Sequence, residues 1–218
     1  HQRNRVRQVG PDSMIARFTP AFVIVLALLF VAPAARADGH LDASVTFINS
    51  LSDRAITTLT DSEITADERR SQFRNLFREG FAVDGIARFA LGRYWRNASK
   101  QEREEYLVLF EDVIVTTWAD RFSLYSGQSF EVRGATNEPS NGPEKVALVS
   151  SQFFTSPTSP VQIEWRVASQ GDVIKIVDVK VEGISMANTQ RDEFNSVIRN
   201  NGRKLSSLLE RLRKMRDS

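Results

Sequence analysis

The chain has 218 residues, with 29 Lys and Arg against 27 Asp and Glu, no cysteine and 41% hydrophobic residues. This length and apolar content predict one folded domain and exclude a disordered chain, and the lack of cysteine excludes disulfides, thiolate metal sites and a cysteine nucleophile. The formal charge of +2 depends on five arginines within the first 37 residues; the remaining residues carry a net charge of −2, which argues against a nucleic-acid-binding protein.

The N-terminal region has the pattern of a cleaved secretory signal. An uncharged run of 18 residues follows Arg17, and this run is short for a membrane-spanning helix. A proline interrupts it, and Ala35-Arg36-Ala37 provides a small-x-small site for cleavage after the second alanine. We predict an upstream extension and signal peptide over residues 1–37 and an exported domain over residues 38–218. A retained membrane anchor is the alternative.

Helices come first in the predicted exported domain. Apolar residues recur every three to four positions over residues 41–59, which predicts an opening helix. Thr65-Ala-Asp-Glu68 is a capping box that starts a second helix. Ser99-Lys-Gln-Glu102 is another, and it starts a long helix that we expect to end at Gly127.

The apolar period then changes from 3.6 to 2, which predicts strands. The predicted strands are residues 128–133, 145–153, 161–167 and 172–182, and two helices follow over about 188–199 and 203–216. The last strand is apolar at even positions up to Ile176 and at odd positions from Val177, so we predict a β-bulge there. The order predicts a single α+β domain, with helices packed on one face of a twisted antiparallel sheet of four or slightly more strands.

Few side chains of residues 38–218 suit catalysis. His40 is the one histidine among them, and we expect it to be disordered near the predicted mature terminus. The acidic clusters fall in first turns of predicted helices, where they complement the helix dipole, so we expect no metal and no cofactor. Asp178 is the acid of most interest. It is either a general base on the inner face, or a structural group that points outward beside Lys180 or orients a turn.

Aromatic side chains are abundant between Phe73 and Trp165. The ordinary interpretation is a closed hydrophobic core. Helices on one face of one sheet also leave a space that, where it stays open, forms an apolar cavity. The composition leaves both alternatives open.

Two segments are distinctive in combination. The first, Phe81–Trp95, contains Leu91-Gly92-Arg93-Tyr94-Trp95, and the second, Asp178–Met186, contains Glu182-Gly183-Ile-Ser185. Together they resemble the MlaC family of periplasmic phospholipid-binding proteins, also called toluene-tolerance proteins, and the resemblance extends over residues 38–216. The chain departs from similar proteins near Ile174, where they often carry a tryptophan.

The resemblance implies a monomeric, non-enzymatic carrier that holds phospholipid acyl chains between sheet and helices, with the headgroup near the surface. Its partners would be an outer-membrane lipoprotein–porin complex and an inner-membrane ABC lipid transporter, and its role would be to maintain outer-membrane lipid asymmetry. The phospholipid is then cargo rather than a cofactor. A basic C-terminal end, with eight basic and four acidic residues over 191–218, is either a docking surface or an ordinary solvated helix face.

The expected pocket lining consists of aromatic and aliphatic residues on helices and on inward strand positions. These residues are Phe73, Phe77, Tyr94, Tyr106, Phe110, Val113, Ile114, Trp118, Val146, Leu148, Ile163, Trp165 and Val167. A charged residue at Ile163 or Val113 is expected to abolish lipid retention without unfolding the domain. Two other functions stay open: a small cone-shaped isomerase-like enzyme that uses Asp178, and a periplasmic adaptor with a closed core and no ligand.

Overall fold

A computed structural model describes residues 39–124, 127–154 and 159–217. The predicted signal peptide and cleavage site lie outside these residues. The helices are α1 Gly39–Leu59, α2 Ala66–Gly80, α3 Val83–Leu91, α4 Arg93–Asn97, α5 Lys100–Ala119, α6 Met186–Asn200 and α7 Leu205–Arg216. The strands are β1 Ser129–Glu138, β2 Lys145–Phe154, β3 Pro160–Gln170, β4 Val173–Val181 and β5 Ile184–Ser185. No helix of the described ranges combines the length and the apolar character that a membrane span needs.

Both predicted capping boxes are confirmed. The Thr65 hydroxyl accepts from the backbone N–H of Glu68, and the Glu68 carboxylate accepts from the backbone N–H of Thr65 at 2.8 Å. Ser99 and Glu102 form the same pair of bonds at the start of α5. Each box satisfies two N–H groups that a helix start would otherwise leave unpaired.

The long helix is shorter than predicted, so the expected stop at Gly127 is wrong. α5 ends at Ala119, and the chain tightens into a 3₁₀ helix over Asp120–Leu124. The Ser123 hydroxyl donates to the Asp120 carbonyl at 2.6 Å, and Arg70 of α2 binds the Asp120 carboxylate at 2.9 Å. These contacts hold the chain in the tighter turn.

Two short helices, α3 and α4, were not predicted from the apolar period. α3 buries Ala87, Ala90 and Leu91, and alanines give only a weak apolar pattern. Gly92 separates the two helices with φ +59° and ψ −129°, a conformation that a side chain rarely adopts.

The sheet is an antiparallel meander in the order β1-β2-β3-β4-β5. The α+β prediction is confirmed, and the two-residue strand β5 adds one strand to the predicted four. The predicted bulge is also confirmed. Arg166 pairs with Asp178 and Val167 pairs with Ile176, which leaves Val177 without a cross-strand partner.

The two faces of the sheet differ in chemistry. Residues directly opposite each other in an antiparallel pair share a face, so the register fixes which residues lie together. The apolar face, as we name it, carries Phe130, Val132, Ala147, Val149, Ile163, Trp165, Val167, Ile176 and Val179. On the opposite, polar face, Arg166 lies across from Asp178 and donates to Glu138 at 2.9 Å.

The buried apolar residues form two clusters. The sheet cluster joins Ile48 of α1 to Ala147, Val149, Val167 and Ile176 of the apolar face. The helical cluster joins α3, α5, α6 and α7 and holds most of the large buried side chains; its buried members are Ala87, Ala90, Leu91, Ala98, Tyr106, Leu109, Phe110, Val113, Phe194, Ile198, Leu205, Leu208, Leu209 and Leu212.

A charged contact fastens α2 to α5. The Glu111 carboxylate is almost fully buried, and it pairs with Arg74 and with Arg78, whose Nε donates to it at 2.9 Å. Arg74 also pairs with Asp112 at 2.9 Å. Burial alone raises the pKa of Glu111, but the hydrogen bonds and positive charges of Arg78 and Arg74 outweigh burial, so the pKa lies below its ordinary value of 4.5.

Glu111→Gln is therefore expected to lower the free energy of unfolding by about 1–2 kcal/mol at neutral pH. Because the folded-state pKa is depressed, the stabilisation by Glu111 is present above the unfolded-state pKa and is lost as pH falls through the folded-state value. In urea melts, the difference in the free energy of unfolding between wild type and Glu111→Gln should therefore decrease below about pH 4.5. A difference in the free energy of unfolding that stays constant until the protein unfolds in acid would contradict this account.

Candidate functional site

The strongest candidate site is the partly buried apolar surface where α1 packs on the apolar face, and we call this surface the apolar cleft. α1 buries Ile48 against the sheet, but it leaves a border of apolar side chains only half-buried. The half-buried members are Leu41, Val45, Phe47, Leu51, Phe81, Phe130, Val132, Ala135, Trp165, Ile174 and Val179. An apolar ligand seated here would remove this surface from water.

Trp165 is held at the centre of this surface by a short hydrogen-bonded chain. Its indole N–H donates to the Ser151 hydroxyl at 2.9 Å, and that hydroxyl donates to the Ile163 carbonyl at 3.0 Å. The Phe130 ring lies edge-on to the indole at 6.2 Å between centroids. Because the indole N–H is already paired with Ser151, the rest of the indole presents an apolar surface.

A row of aromatic rings runs along α2 toward the sheet. Phe73 and Phe77 lie 6.0 Å apart, and Phe77 and Phe81 lie 4.9 Å apart. Just after α2, Phe81 forms a parallel bridge with Ile176, and the N–H of Ala82 donates to the Ile176 carbonyl at 2.9 Å. The bridge places the end of this row against the sheet cluster.

Apart from Val146 and Leu148, the predicted lining residues fall into four groups. Trp165 and Val167 lie in the sheet cluster, and Ile163 lies on the same face by register. Phe73 and Phe77 lie in the aromatic row of α2. The third group belongs to the helical cluster and consists of Tyr94, Tyr106, Phe110, Val113 and Ile114. Trp118 is at the surface, 42% exposed, with the Arg121 guanidinium 4.5 Å from its ring.

The expected inward orientation of Val146 and Leu148 is wrong. Ala147 and Val149 lie on the apolar face, so their neighbours in β2 point to the polar face, where Leu148 lies across from Arg166. Residues 146–149 are all apolar, so the sequence of β2 does not reveal its phase.

Sequence reasoning missed the contribution of α1 to the site. Leu41 and Val45 line the cleft beside the buried Ile48. Their spacing predicted an amphipathic helix but did not indicate which surface it covers. His40 was expected to be disordered; instead it lies in the first turn of α1, and its carbonyl accepts from the Ser44 hydroxyl at 2.7 Å.

The Asp178 carboxylate binds a backbone N–H group in the first turn of α6. Its side chain is 6% exposed, and one carboxylate oxygen accepts the backbone N–H of Val179 at 2.8 Å and that of Ala187 at 3.0 Å. Of the alternatives for this residue, the turn-orienting one is confirmed. Within the described ranges, no three His, Asp or Glu side chains converge as a metal site would require.

Removal of the Asp178 carboxylate is expected to lower the stability of the fold, as its structural role predicts. Asp178→Ala leaves the buried N–H of Ala187 unpaired and should cost about 1–3 kcal/mol, whereas Asp178→Asn keeps an acceptor oxygen and should cost less. Denaturant melts of both variants test this order. Equal destabilisation by the two substitutions would show that the charge, and not the hydrogen bond, stabilises α6.

The basic C-terminal end is largely neutralised by its own surroundings. Four cations of α7 pair with carboxylates; the pairs are Arg211–Glu193, Arg213–Glu105, Lys214–Glu210 and Arg216–Asp217. Such pairing favours the solvated-face interpretation over a docking surface in α7.

Two comparisons with known proteins bear on this site. A family model described as MlaC protein matches residues 49–214. The fold is similar to the solved structure of a phospholipid-binding protein from Ralstonia solanacearum in complex with a phospholipid, with a TM-score of 0.68 and 16% sequence identity. The match covers 79% of this chain and 96% of that one. At this identity the likeness establishes the shared fold.

Proposed function

Because this chain belongs to the MlaC family, we propose that it is a phospholipid carrier of the periplasm and that the apolar cleft holds the acyl chains of its cargo. The carrier would exchange lipid with an inner-membrane ABC transporter and an outer-membrane lipoprotein–porin complex. The observation that carries the proposal is the half-buried apolar border between α1 and the sheet. The structural neighbour from Ralstonia solanacearum, solved with a phospholipid, supports it.

The physical chemistry of phospholipids explains why such a surface is needed. A phospholipid has about 30 chain methylenes, each worth about 0.8 kcal/mol on leaving water, or roughly 24 kcal/mol in total. Unassisted transfer through an aqueous compartment is therefore negligible. Noncovalent affinities saturate near −18 to −21 kcal/mol, so a carrier at best approaches the stability of lipid in a membrane, and exchange must take place in docked complexes.

The apolar cleft supplies what acyl chains require. The apolar face offers aliphatic and aromatic side chains, and its polar atoms at Trp165 and Ser151 are already paired. α1 contacts β1, β2 and β3, so a small outward movement of this one helix would widen the cleft along three strands. The headgroup would stay at the border, in contact with water.

The two alternative functions make different predictions. An isomerase-like enzyme requires Asp178 as a general base, but its carboxylate already accepts two backbone N–H groups. An adaptor with a closed core requires complete burial of the apolar face, whereas Trp165 and Val179 are only partly buried. Both observations favour the carrier.

Native mass spectrometry tests the proposal. The full chain is expressed with its own N-terminal segment, purified from the periplasmic fraction without detergent and weighed before and after solvent extraction. We expect a polypeptide that begins at Asp38 and an additional phospholipid mass that extraction removes. A folded protein that consistently lacks lipid would refute the carrier and favour the adaptor.

A further inference from the structure

A second feature of the surface is a basic cleft between α4 and α6. It has a volume of about 410 Å³ and is lined by Arg93, Asn188, Arg191, Asp192, Asn195 and Arg199. None of these residues belongs to the apolar face, so the basic cleft and the apolar cleft are built from different side chains.

The three arginines of the basic cleft have no carboxylate partner among the residues that the structure describes. No salt bridge within the described ranges involves Arg93, Arg191 or Arg199, in contrast to the paired cations of α7. Asp192 is the one carboxylate in the lining, so the cleft has a net excess of two positive charges. Such an excess attracts an anion, although residues 38–218 as a whole carry a net charge of −2.

Aromatic contacts hold two of these guanidinium groups in place without neutralising them. Arg191 lies over the Phe89 ring at 4.9 Å, and Arg93 lies over the Tyr94 ring at 5.3 Å. Arg191 also packs on Gly92, where an added Cβ would lie 3.2 Å from its Nε. Gly92 thus permits both the positive φ between α3 and α4 and the close approach of Arg191.

The surroundings of the basic cleft combine aromatic and cationic groups. Phe89 is 42% exposed beside Arg191. Trp95 of α4 is half-buried, and its ring lies 5.0 Å from the guanidinium of Arg88 in α3 and 5.3 Å from that of Arg103 in α5. Amphipathic aromatic rings and long cationic side chains are both favoured where a protein meets the headgroup region of a membrane.

We propose that the basic cleft binds the phosphate groups of an anionic phospholipid surface and that α4 and α6 form the face with which the carrier docks on a membrane. Guanidinium groups match phosphate oxygens through paired N–H donors. The proposal rests on the proposed function, because it gives the carrier a place of contact with lipid that is separate from the site of its cargo.

The test compares two sets of three arginine substitutions that change the net charge equally. One variant carries Arg93→Gln, Arg191→Gln and Arg199→Gln; the control carries Arg211→Gln, Arg213→Gln and Arg216→Gln in α7. Vesicles of phosphatidylcholine with phosphatidylglycerol, and vesicles of phosphatidylcholine alone, are co-sedimented with each protein at low and high salt. Native mass spectrometry reports the bound phospholipid of every sample.

We expect wild type and the α7 control to bind the mixed vesicles at low salt and to dissociate at about 1 M salt, where charges are screened within about 3 Å. The cleft variant should bind about 100-fold more weakly, since each arginine near an anionic surface contributes roughly a factor of five. The double substitution of Arg93 and Arg199, both exposed, leaves the Arg191 packing intact and should weaken binding about 30-fold.

Equal binding of the mixed vesicles by the cleft variants and the control would overturn the proposal. A wild-type protein that does not bind the mixed vesicles would also overturn it, even where that protein binds inorganic phosphate or an acidic protein. These outcomes are separable from failure of the proposed function. A wild type that carries phospholipid but does not bind vesicles refutes the docking face alone, whereas a wild type without phospholipid refutes the carrier.

Discussion

Ile163→Glu is expected to abolish the co-purification of phospholipid while leaving the protein folded. Ile163 lies on the apolar face, across from Ser151 on one side and Val181 on the other, and it is only half-buried. Because Ile163 is only half-buried, water can hydrate the new carboxylate. Bound acyl chains would displace the water that hydrates this carboxylate. This desolvation costs about 3 kcal/mol or more, which weakens the binding of phospholipid roughly a hundredfold.

Leu148→Glu is the matched control for this experiment. Leu148 lies in the adjacent strand on the polar face, directly across from Arg166, so a carboxylate there gains a cationic neighbour and stays in water. Both variants add the same charge to the same sheet. Native mass spectrometry should find phospholipid in Leu148→Glu and none in Ile163→Glu, with thermal melts showing that both are folded. Wild-type lipid content in a folded Ile163→Glu protein would exclude the apolar cleft as the cargo site.

A charged residue at Val113 is not an equivalent test. Val113 is 7% exposed and belongs to the helical cluster. A carboxylate there would be buried without a partner both with and without bound lipid. We expect Val113→Asp to unfold the domain, which urea denaturation would show as loss of a cooperative transition. The difference between Ile163 and Val113 was not visible in the sequence, because both fit an apolar period.

Local signals were sufficient wherever the responsible residues are close in sequence. The capping boxes at Thr65 and Ser99 depend on residues three positions apart, and the bulge at Val177 depends on a change of phase within one strand. β2 gave no such signal, because Val146 and Leu148 are as apolar as the residues that face α1. Its phase is decided by pairing with β1 and β3, which are contacts between different segments of the chain.

The helical part of the candidate site shows the same limit. The period of α5 correctly identified the buried stripe that contains Tyr106 and Phe110, but these residues pack against α6 and α7 rather than against the sheet. The cleft-lining helix is α1, whose apolar residues are fewer and smaller. Helical periodicity predicts that one face of a helix is buried, but it does not indicate which helix or sheet covers that face.

Tyr106→Ala is expected to be strongly destabilising while still leaving a folded domain. Tyr106 is fully buried, its hydroxyl donates to the Ala87 carbonyl at 2.8 Å, and its ring packs on Phe110 and Phe194. It therefore joins α3, α5 and α6 at one point. Loss of the ring and the hydrogen bond should cost about 4 kcal/mol, a large share of the roughly 5–15 kcal/mol that stabilises a domain.

Tyr106→Phe separates the hydroxyl from the ring. Burial raises the pKa of Tyr106 far above its ordinary value of 10.0, so the hydroxyl stays protonated and remains a donor across the working pH range. Loss of this donor removes the buried side-chain hydrogen bond to the Ala87 carbonyl of α3 and should cost about 1–2 kcal/mol in urea denaturation. Tyr94→Ala, at the half-buried border of the same cluster, is the control and should cost less than Tyr106→Ala.

The lipid content of Tyr106→Phe decides whether the helical cluster takes part in binding. A side chain with no exposed surface cannot contact cargo unless the cluster opens, so we expect this variant to carry as much phospholipid as wild type. A folded Tyr106→Phe protein without phospholipid would mean that the helices part to admit acyl chains. The cargo would then lie between α5 and α6, and Ile163→Glu should retain its lipid, so the two experiments together assign the cargo to one cluster or the other.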